Sequence, residues 1–319
     1  MFLKPNLFTI EIMQDNITFV FVILLFANSL FGQSSGYEKG YKSFRDVETY
    51  YEIHGNGEPL VILHGGPGLS HNYLMPHFQK LYENYNVIFY DQRASGKTTG
   101  SVDSNLTIDV FVDDLEALRK SLGLEQIHLT GHSWGGILAL SYAVKYPQFL
   151  KSLTLISSVS PNLQSIEDLV KNRTERYSKE EGEKIQKLIA SKELENVDST
   201  VVEELLKSVF KVYLNDKTKL NLLDLSVSSQ NSTAVLTMPN FIFPKINSPA
   251  IFDELKNLNV PTLIIHGTYD PLPSKYSEEL STIISNSKLI IYENCGHFPF
   301  AEYPDKFTND MLLFIGSNE

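Results

Sequence analysis

What most constrains this chain is a serine set between glycines, Gly131-His132-Ser133-Trp134-Gly135, with an apolar run on each side. Gln126-Ile127-His128-Leu129-Thr130 alternates like a strand, and Gly136-Ile137-Leu138-Ala139-Leu140-Ser141-Tyr142-Ala143 opens like a buried helix. In that setting G-x-S-x-G reads as a sharp strand-to-helix turn that lifts a serine hydroxyl above the end of a parallel sheet. Such a turn packs strand and helix backbones closely, which calls for glycine, and it strains the serine's own dihedrals. Ser133 is therefore expected to be a nucleophile rather than an ordinary turn serine.

A serine hydroxyl is a weak nucleophile, so a base and an orienting acid must be found elsewhere. Val260-Pro261-Thr262-Leu263-Ile264-Ile265-His266-Gly267 reads as a buried parallel strand, and Asp270 follows its end. Lys288-Leu289-Ile290-Ile291-Tyr292 reads as the next strand, and His297 lies on the loop beyond it, in Asn294-Cys295-Gly296-His297-Phe298-Pro299. The chain order Ser133, Asp270, His297 is the order used by the strand-turn-helix serine hydrolases. His297 is expected to take the proton from Ser133 and return it to the leaving group. Asp270 would hold the imidazole in the required tautomer. Each of the two, taken singly, has a plainer reading: Asp-Pro is a common turn, and a lone histidine is usually structural.

An oxyanion hole is expected in Leu60-Val61-Ile62-Leu63-His64-Gly65-Gly66-Pro67-Gly68, where an apolar strand runs into a glycine-rich loop with free backbone N–H groups. The N–H of Trp134, next after the nucleophile, would supply one donor and Gly66 the other, with Gly65 the close competitor. His64 and His266 precede glycines at strand ends and read as turn-packing residues. His71 and His77 read as surface or pocket-lining, and His132, inside the turn, is not assigned the base role. Gly96-Lys97-Thr98 resembles the end of a phosphate-binding loop, but the position that needs its first glycine is Asp91. No spacing of histidines, cysteines and carboxylates suggests a metal, and no cofactor is called for.

Three runs together carry a family resemblance: His64-Gly65-Gly66-Pro67-Gly68, Asp91-Gln92-Arg93-Ala94-Ser95-Gly96 and Gly131-His132-Ser133-Trp134-Gly135-Gly136. The chain resembles the proline iminopeptidase group of the α/β-hydrolases over most of its length after residue 40, apart from a middle insertion. The resemblance implies an α/β-hydrolase fold, a mostly parallel sheet flanked by helices with an inserted helical cap. It also implies an enzyme that removes an N-terminal residue, typically proline, through an acyl-enzyme on the serine. Ala94 and His132 stand where the group usually has glycine. The Trp-Glu pair that many members carry in the cap is missing, because Trp134 is the sole tryptophan.

At 319 residues and 42% hydrophobic, the chain can bury one large core. A formal net charge of -11 argues against nucleic-acid binding. The run Ile17-Thr18-Phe19-Val20-Phe21-Val22-Ile23-Leu24-Leu25-Phe26-Ala27 is short for a membrane span and ends in small and polar residues. Residues 1–32 are thus expected to be a signal peptide, cleaved near Gly32, for a periplasmic or secreted protein without stable membrane insertion. An uncleaved N-terminal anchor is the alternative. Cys295 is the sole cysteine, so no internal disulfide forms, and it reads as a packed loop residue.

The core is expected in two parts, 33–159 and 246–319, around a helical cap at 160–245. Thr107 to Leu122 reads as a core helix, and Ser178 to Ile189 and Thr200 to Leu214 as amphipathic cap helices. Glu203 and Glu204 could bind a cationic amino terminus, or be a solvated helix face. Thr237-Met238-Pro239-Asn240-Phe241-Ile242-Phe243-Pro244 reads as a pocket lining or a hinge back to the core. The expected function is that of a serine hydrolase on a small peptide or small acyl substrate, an aminopeptidase first and an esterase or lactonase second. A non-catalytic binding module on the same fold is the third reading, and the oligomeric state is not read from the sequence.

Overall fold

Along β3 (Glu58–Leu63) the side chains divide between two cores: Leu60 and Ile62 enter one, Val61 and Leu63 the other. β4 (Tyr85–Tyr90) repeats the division, with Val87 and Phe89 on one face and Ile88 and Tyr90 on the other. Successive side chains of a strand point to opposite faces, so a strand covered on both sides is an unbroken apolar run. That is why these segments were legible as buried strands without any alternation. The computed structural model describes residues 36–246 and 249–318; the expected signal segment, 1–32, lies outside the described residues.

The sheet has eight strands in the order β1-β2-β4-β3-β5-β6-β7-β8. Here β1 is Tyr37–Phe44, β2 Val47–His54, β5 Ile127–His132, β6 Leu150–Ile156, β7 Thr262–Gly267 and β8 Ser287–Tyr292. β2 runs antiparallel to β4, and every pair from β4 through β3, β5, β6 and β7 to β8 is parallel. The strand order reverses around β3, so the loops leaving β3 and β5 diverge at one carboxyl edge. In open α/β sheets that crevice is where ligands bind.

One face of the sheet is covered by α1 (Ile108–Ser121) and α2 (Trp134–Lys145), which bury Phe111, Val112, Leu115 and Leu118, and Ile137 through Leu140. α8 (Pro249–Leu255) and α9 (Lys275–Ile283) add Leu255 and Leu280. The other face packs Phe78 and Leu81 against Phe307, Met311 and Ile315 of α11 (Pro304–Gly316), behind the short α10 (Pro299–Glu302). α1 has Thr107 in the N-cap position and Leu122 in the C-cap position, followed by Gly123 at φ 68°, a left-handed stop that suits glycine.

Between β6 and β7 the chain runs through α3 (Leu163–Glu175), α4 (Lys179–Ile189), α5 (Lys192–Glu195), α6 (Ser199–Phe210) and α7 (Ser232–Ile242). Ser178 and Glu181 cap α4 reciprocally, each side chain accepting the other's backbone N–H. α6 stops at Phe210, and the residues expected to extend it form a 3₁₀ turn, Lys211–Tyr213. The stretch expected as a pocket lining or a hinge, Thr237–Pro244, is mostly helix. Ala234, Val235, Met238 and Ile242 bury one face of α7, and that helical period overrides Pro239 inside it.

Candidate active site

Ser133 follows the last residue of β5 and precedes α2, with φ 56° and ψ -118°. A Cβ on Gly131 would collide with the Gly135 carbonyl, and one on Gly135 with the Leu63 carbonyl, so both glycines are required by close backbone approach. The turn holds through Ser133 N–H to the Ile156 carbonyl at 2.9 Å and Gly136 N–H to the Ser133 carbonyl at 2.9 Å. Ser133 is half-buried while its neighbours on both sides are buried. Its backbone stands at the positive end of α2, where the first amides, that of Trp134 among them, have no partner within the helix.

The loop after β3 lies against this turn: a Cβ on Gly65 would be 3.0 Å from Ser133 Cβ and 2.9 Å from Tyr73 Oη. Gly65 N–H donates to Tyr73 Oη at 2.7 Å, so that amide is committed, and the next residue, Gly66, takes φ 117°. His64 is fully buried; Nδ1 donates to the Gly65 carbonyl at 2.8 Å, and Nε2 accepts Gln92 N–H at 3.0 Å. Burial pushes its imidazole down to about 4, which keeps this neutral arrangement. Gln92 Nε2 in turn donates to the His64 carbonyl at 2.7 Å, and Trp134 Nε1 donates to Gln92 Oε1 at 2.7 Å. The loops after β3, β4 and β5 are thereby tied to one another by side chains.

Asp270 and His297, on the loops after β7 and β8, are buried and meet at 2.8 Å between Oδ2 and Nδ1. Asp270 Oδ1 accepts Leu272 N–H at 2.8 Å. Burial alone would push this carboxyl up, but the charge and hydrogen bond of His297, the nearby His266 and the Leu272 amide outweigh it and hold it below its ordinary range. His266 braces the loop, donating from Nε2 to the Leu272 carbonyl at 2.8 Å. His297 is fixed at both backbone ends: its N–H donates to the Tyr213 carbonyl at 2.8 Å, and its carbonyl accepts His132 Nε2–H at 2.9 Å. Its ring centroid lies 4.9 Å from that of His132, the residue before Ser133. The three residues expected to act together are thus gathered at one edge of the sheet.

The helices between β6 and β7 touch the Asp270 loop through one face of α3. Asn172 Nδ2 donates to the Pro271 carbonyl at 2.9 Å, and Arg176, four residues on, donates to the Tyr269 and Asp270 carbonyls at 2.6 and 3.2 Å. Arg173 reaches Tyr213 Oη at 3.4 Å. Glu203 and Glu204 on α6 are paired with Lys207 and Lys184 at 2.6 and 2.9 Å, on exposed or half-exposed surface. Neither is held toward Ser133 by any of these contacts.

His71, expected at the surface or lining a pocket, lies elsewhere. It is fully buried, with Nδ1 2.8 Å from Asp91 Oδ1 and Nε2 3.8 Å from Glu52 Oε1, because two buried carboxylates need a cation between them. The nucleotide-like segment is explained by the same group: Lys97 N–H donates to Asp91 Oδ2 at 2.8 Å, and Gly96 leaves room for that carboxylate. Cys295 is buried and its thiol is pushed up by burial, as a packed residue would be. Sequence reasoning missed Tyr73, Tyr213 and Glu302. Glu302 Oε1 accepts Gly296 N–H at 2.6 Å and Oε2 accepts Asp216 N–H at 3.0 Å, bracing the His297 loop against the segment between β6 and β7. No local pattern announces any of the three, since each acts across the fold.

The α/β hydrolase fold family matches residues 58–304. Proline iminopeptidase of Saccharolobus solfataricus is 34% identical over 298 residues, covering 89% of this chain and 94% of the relative. Proline iminopeptidase of Thermoplasma volcanium is 31% identical, covering 88% and 97%. Among solved structures, the proline iminopeptidase of Mycobacterium smegmatis superposes with a TM-score of 0.61 at 21% identity, covering 88% of this chain and 98% of that one.

Proposed function

The chain belongs to the α/β-hydrolase fold family, in the company of its proline iminopeptidase relatives, and from that premise we propose that it is a serine aminopeptidase releasing an N-terminal residue from small peptides. The observation that carries this reading is the 34% identity to a proline iminopeptidase along nearly the full length of both chains. The Asp270–His297 bond, and the placement of Ser133 beside the Gly65-Gly66 loop, supply the chemistry.

In the proposed reaction Ser133 Oγ attacks the carbonyl carbon of the first residue while His297 Nε2 takes its proton. Negative charge grows on the carbonyl oxygen, within reach of the Gly66 and Trp134 amides, which meet it already oriented. Collapse breaks the C–N bond, the leaving amine takes the proton from His297, and the residue remains as an ester on Ser133. Water, activated by His297, then releases the free amino acid and restores the serine. Asp270 stays ionised throughout and stabilises the transient imidazolium.

An esterase or lactonase reading is favoured by one observation. The acidic residues considered for gripping a substrate ammonium are paired with lysines, and the charged side chains that α3 brings to the Asp270 loop and Tyr213 are arginines. Turnover of prolyl-, alanyl- and N-acetyl-prolyl-p-nitroanilide, beside p-nitrophenyl acetate and butyrate, separates the two. Cleavage of the free-amine prolyl anilide but not its acetylated form is expected. Ester turnover without amide cleavage would remove the peptidase reading, and full activity in Ser133→Ala would remove the serine mechanism.

A further inference from the structure

We infer that His132 is a positioning residue for this site. With Tyr73 it forms a hydrogen-bond relay of fixed polarity that holds the oxyanion loop, the nucleophile and the backbone of His297 in one geometry. The inference rests on the reading of Ser133 and His297 as nucleophile and base.

The polarity follows from the partners. His132 Nε2 stands 2.9 Å from the His297 carbonyl oxygen, which can only accept, so Nε2 carries the proton. Nδ1 of the neutral ring is then a bare acceptor, and Tyr73 Oη, 2.7 Å away, donates to it. The same Oη accepts Gly65 N–H at 2.7 Å. Reading outward from His132, one ring nitrogen reaches the base's backbone, and the other reaches the loop whose next residue is Gly66. The peptide bond after His132 leads directly to Ser133.

The alternative polarity is unfavourable. A doubly protonated His132 would point Nδ1–H at Tyr73 Oη, which already accepts an amide, and leave the hydroxyl proton of Tyr73 without an acceptor. It would also place a second cation beside His297 each time that residue holds the proton. Burial, followed by the charge on His297, keeps the His132 ring well below its ordinary value, so it stays neutral through the cycle. His132 and Tyr73 are only 1% and 2% exposed, and Phe298 and Phe300 pack around His132, one tilted and one edge-on, with centroids at 5.4 and 5.1 Å. An aromatic cluster of that kind would pack with phenylalanine at both positions. Polar atoms here are costly unless every one is paired, and each of these is paired to a part of the site.

The test uses steady-state kinetics on p-nitrophenyl acetate and prolyl-p-nitroanilide, with thermal melting as a control for folding. Tyr73→Phe keeps the ring volume and leaves Gly65 N–H and His132 Nδ1 unpaired. It should lower kcat roughly 10- to 100-fold with KM changed less than about threefold, the size expected for a displaced oxyanion donor or base. His132→Gln can still offer an amide N–H to the His297 carbonyl and should retain more activity than His132→Phe. A purely structural role would move the melting temperature and leave kcat of the folded enzyme alone, so folded Tyr73→Phe with kcat within twofold of wild type overturns the inference. Nitrogen-15 NMR of the wild-type imidazoles gives an answer that needs no variant. The His132 ring should remain the Nε2–H tautomer from pH 5 to 9, and titration in that range or an Nδ1–H tautomer overturns the relay. Full activity in Ser133→Ala is a separate failure, of the underlying serine mechanism, and leaves the NMR result to be read by itself.

Discussion

Trp134 Nε1 donates to Gln92 Oε1 across 2.7 Å, which makes one glutamine the clasp between α2 and the glycine loop. Its amide nitrogen donates at the other end to the His64 carbonyl at 2.7 Å. Gln92→Leu should leave the buried indole N–H unpaired, at a cost of about 1–3 kcal/mol. Loosening the loop against Ser133 should also lower kcat, by up to about 10²-fold. Gln92→Glu keeps the acceptor for Trp134 but faces a carboxylate oxygen to the His64 carbonyl, so it should melt lower than wild type as well. Wild-type melting temperature and kcat in both variants would show that the clasp holds nothing.

In the proposed mechanism, the bond between Asp270 Oδ2 and His297 Nδ1 leaves Nε2 as the histidine nitrogen that would accept the serine proton. Asp270→Asn offers an N–H or a neutral oxygen in its place and favours the wrong tautomer. The expected loss is about 10⁴-fold in kcat, with little change in melting temperature, since the asparagine can still accept Leu272 N–H. A loss below tenfold would assign the orienting role elsewhere.

Ala94 sits at φ 53°, in the left-handed region, which explains why glycine is the usual residue at this position in the related group. The left-handed backbone costs an alanine about 1–2 kcal/mol. Against that stand the burial of a methyl group, about 0.8 kcal/mol, and the smaller entropy that alanine loses relative to glycine, about 0.5–1 kcal/mol. The terms nearly cancel, so Ala94→Gly should shift stability by less than about 1 kcal/mol. Ala94→Val adds β-branching to the same conformation in a buried place and should destabilise by about 2 kcal/mol or more. Denaturant midpoints of the two variants decide it; a valine variant as stable as wild type would refute the strain.

What the sequence disclosed follows the range of the forces involved. Strands β3 to β8 and helix α1 were legible because burial on two faces or one leaves a local apolar period, and Ser133 because its turn has a steric requirement for glycine at fixed offsets. The β1–β2 hairpin went unread: its turn at Arg45-Asp46 has no glycine, although Arg45 takes φ 55°, and β2 is tyrosine-rich rather than plainly apolar. α7 was hidden by Pro239. Within the site, Ser133, Asp270 and His297 could be picked out by order along the chain. The residues that hold them, Tyr73, Gln92 and Glu302, act over separations of 59, 42 and 86 residues, and no periodicity encodes such pairs. His71 was misplaced for the same reason, its partners Asp91 and Glu52 being brought to it by the sheet.

That buried group, His71 between Asp91 and Glu52, gives the fold a pH window. Burial pushes the His71 imidazole down, but the two carboxylates outweigh it and raise it from 6.5 to about 9. The His71 contribution to stability is therefore complete below pH 6.5 and lost as the pH rises through about 9. Glu52 runs the other way. His71, Tyr50 and His54 hold it down from 4.5 to about 2 against burial, so its contribution is complete above pH 4.5 and lost as the pH falls toward 2. Both are present between about pH 4.5 and 6.5, where the stability from this group should be greatest. His71→Asn removes the cation between Asp91 and Glu52, leaving Glu52 the more distant Lys97 Nζ at 3.9 Å, a loss of about 3–5 kcal/mol at pH 6. Because the variant has no imidazole to deprotonate, the fall in stability from pH 6.5 to 9 should flatten relative to wild type. Urea midpoints at pH 5, 6.5, 8 and 9.5 for the two proteins measure both effects. Parallel alkaline slopes would mean that some other group titrates there and that His71 is not the cation of the pair.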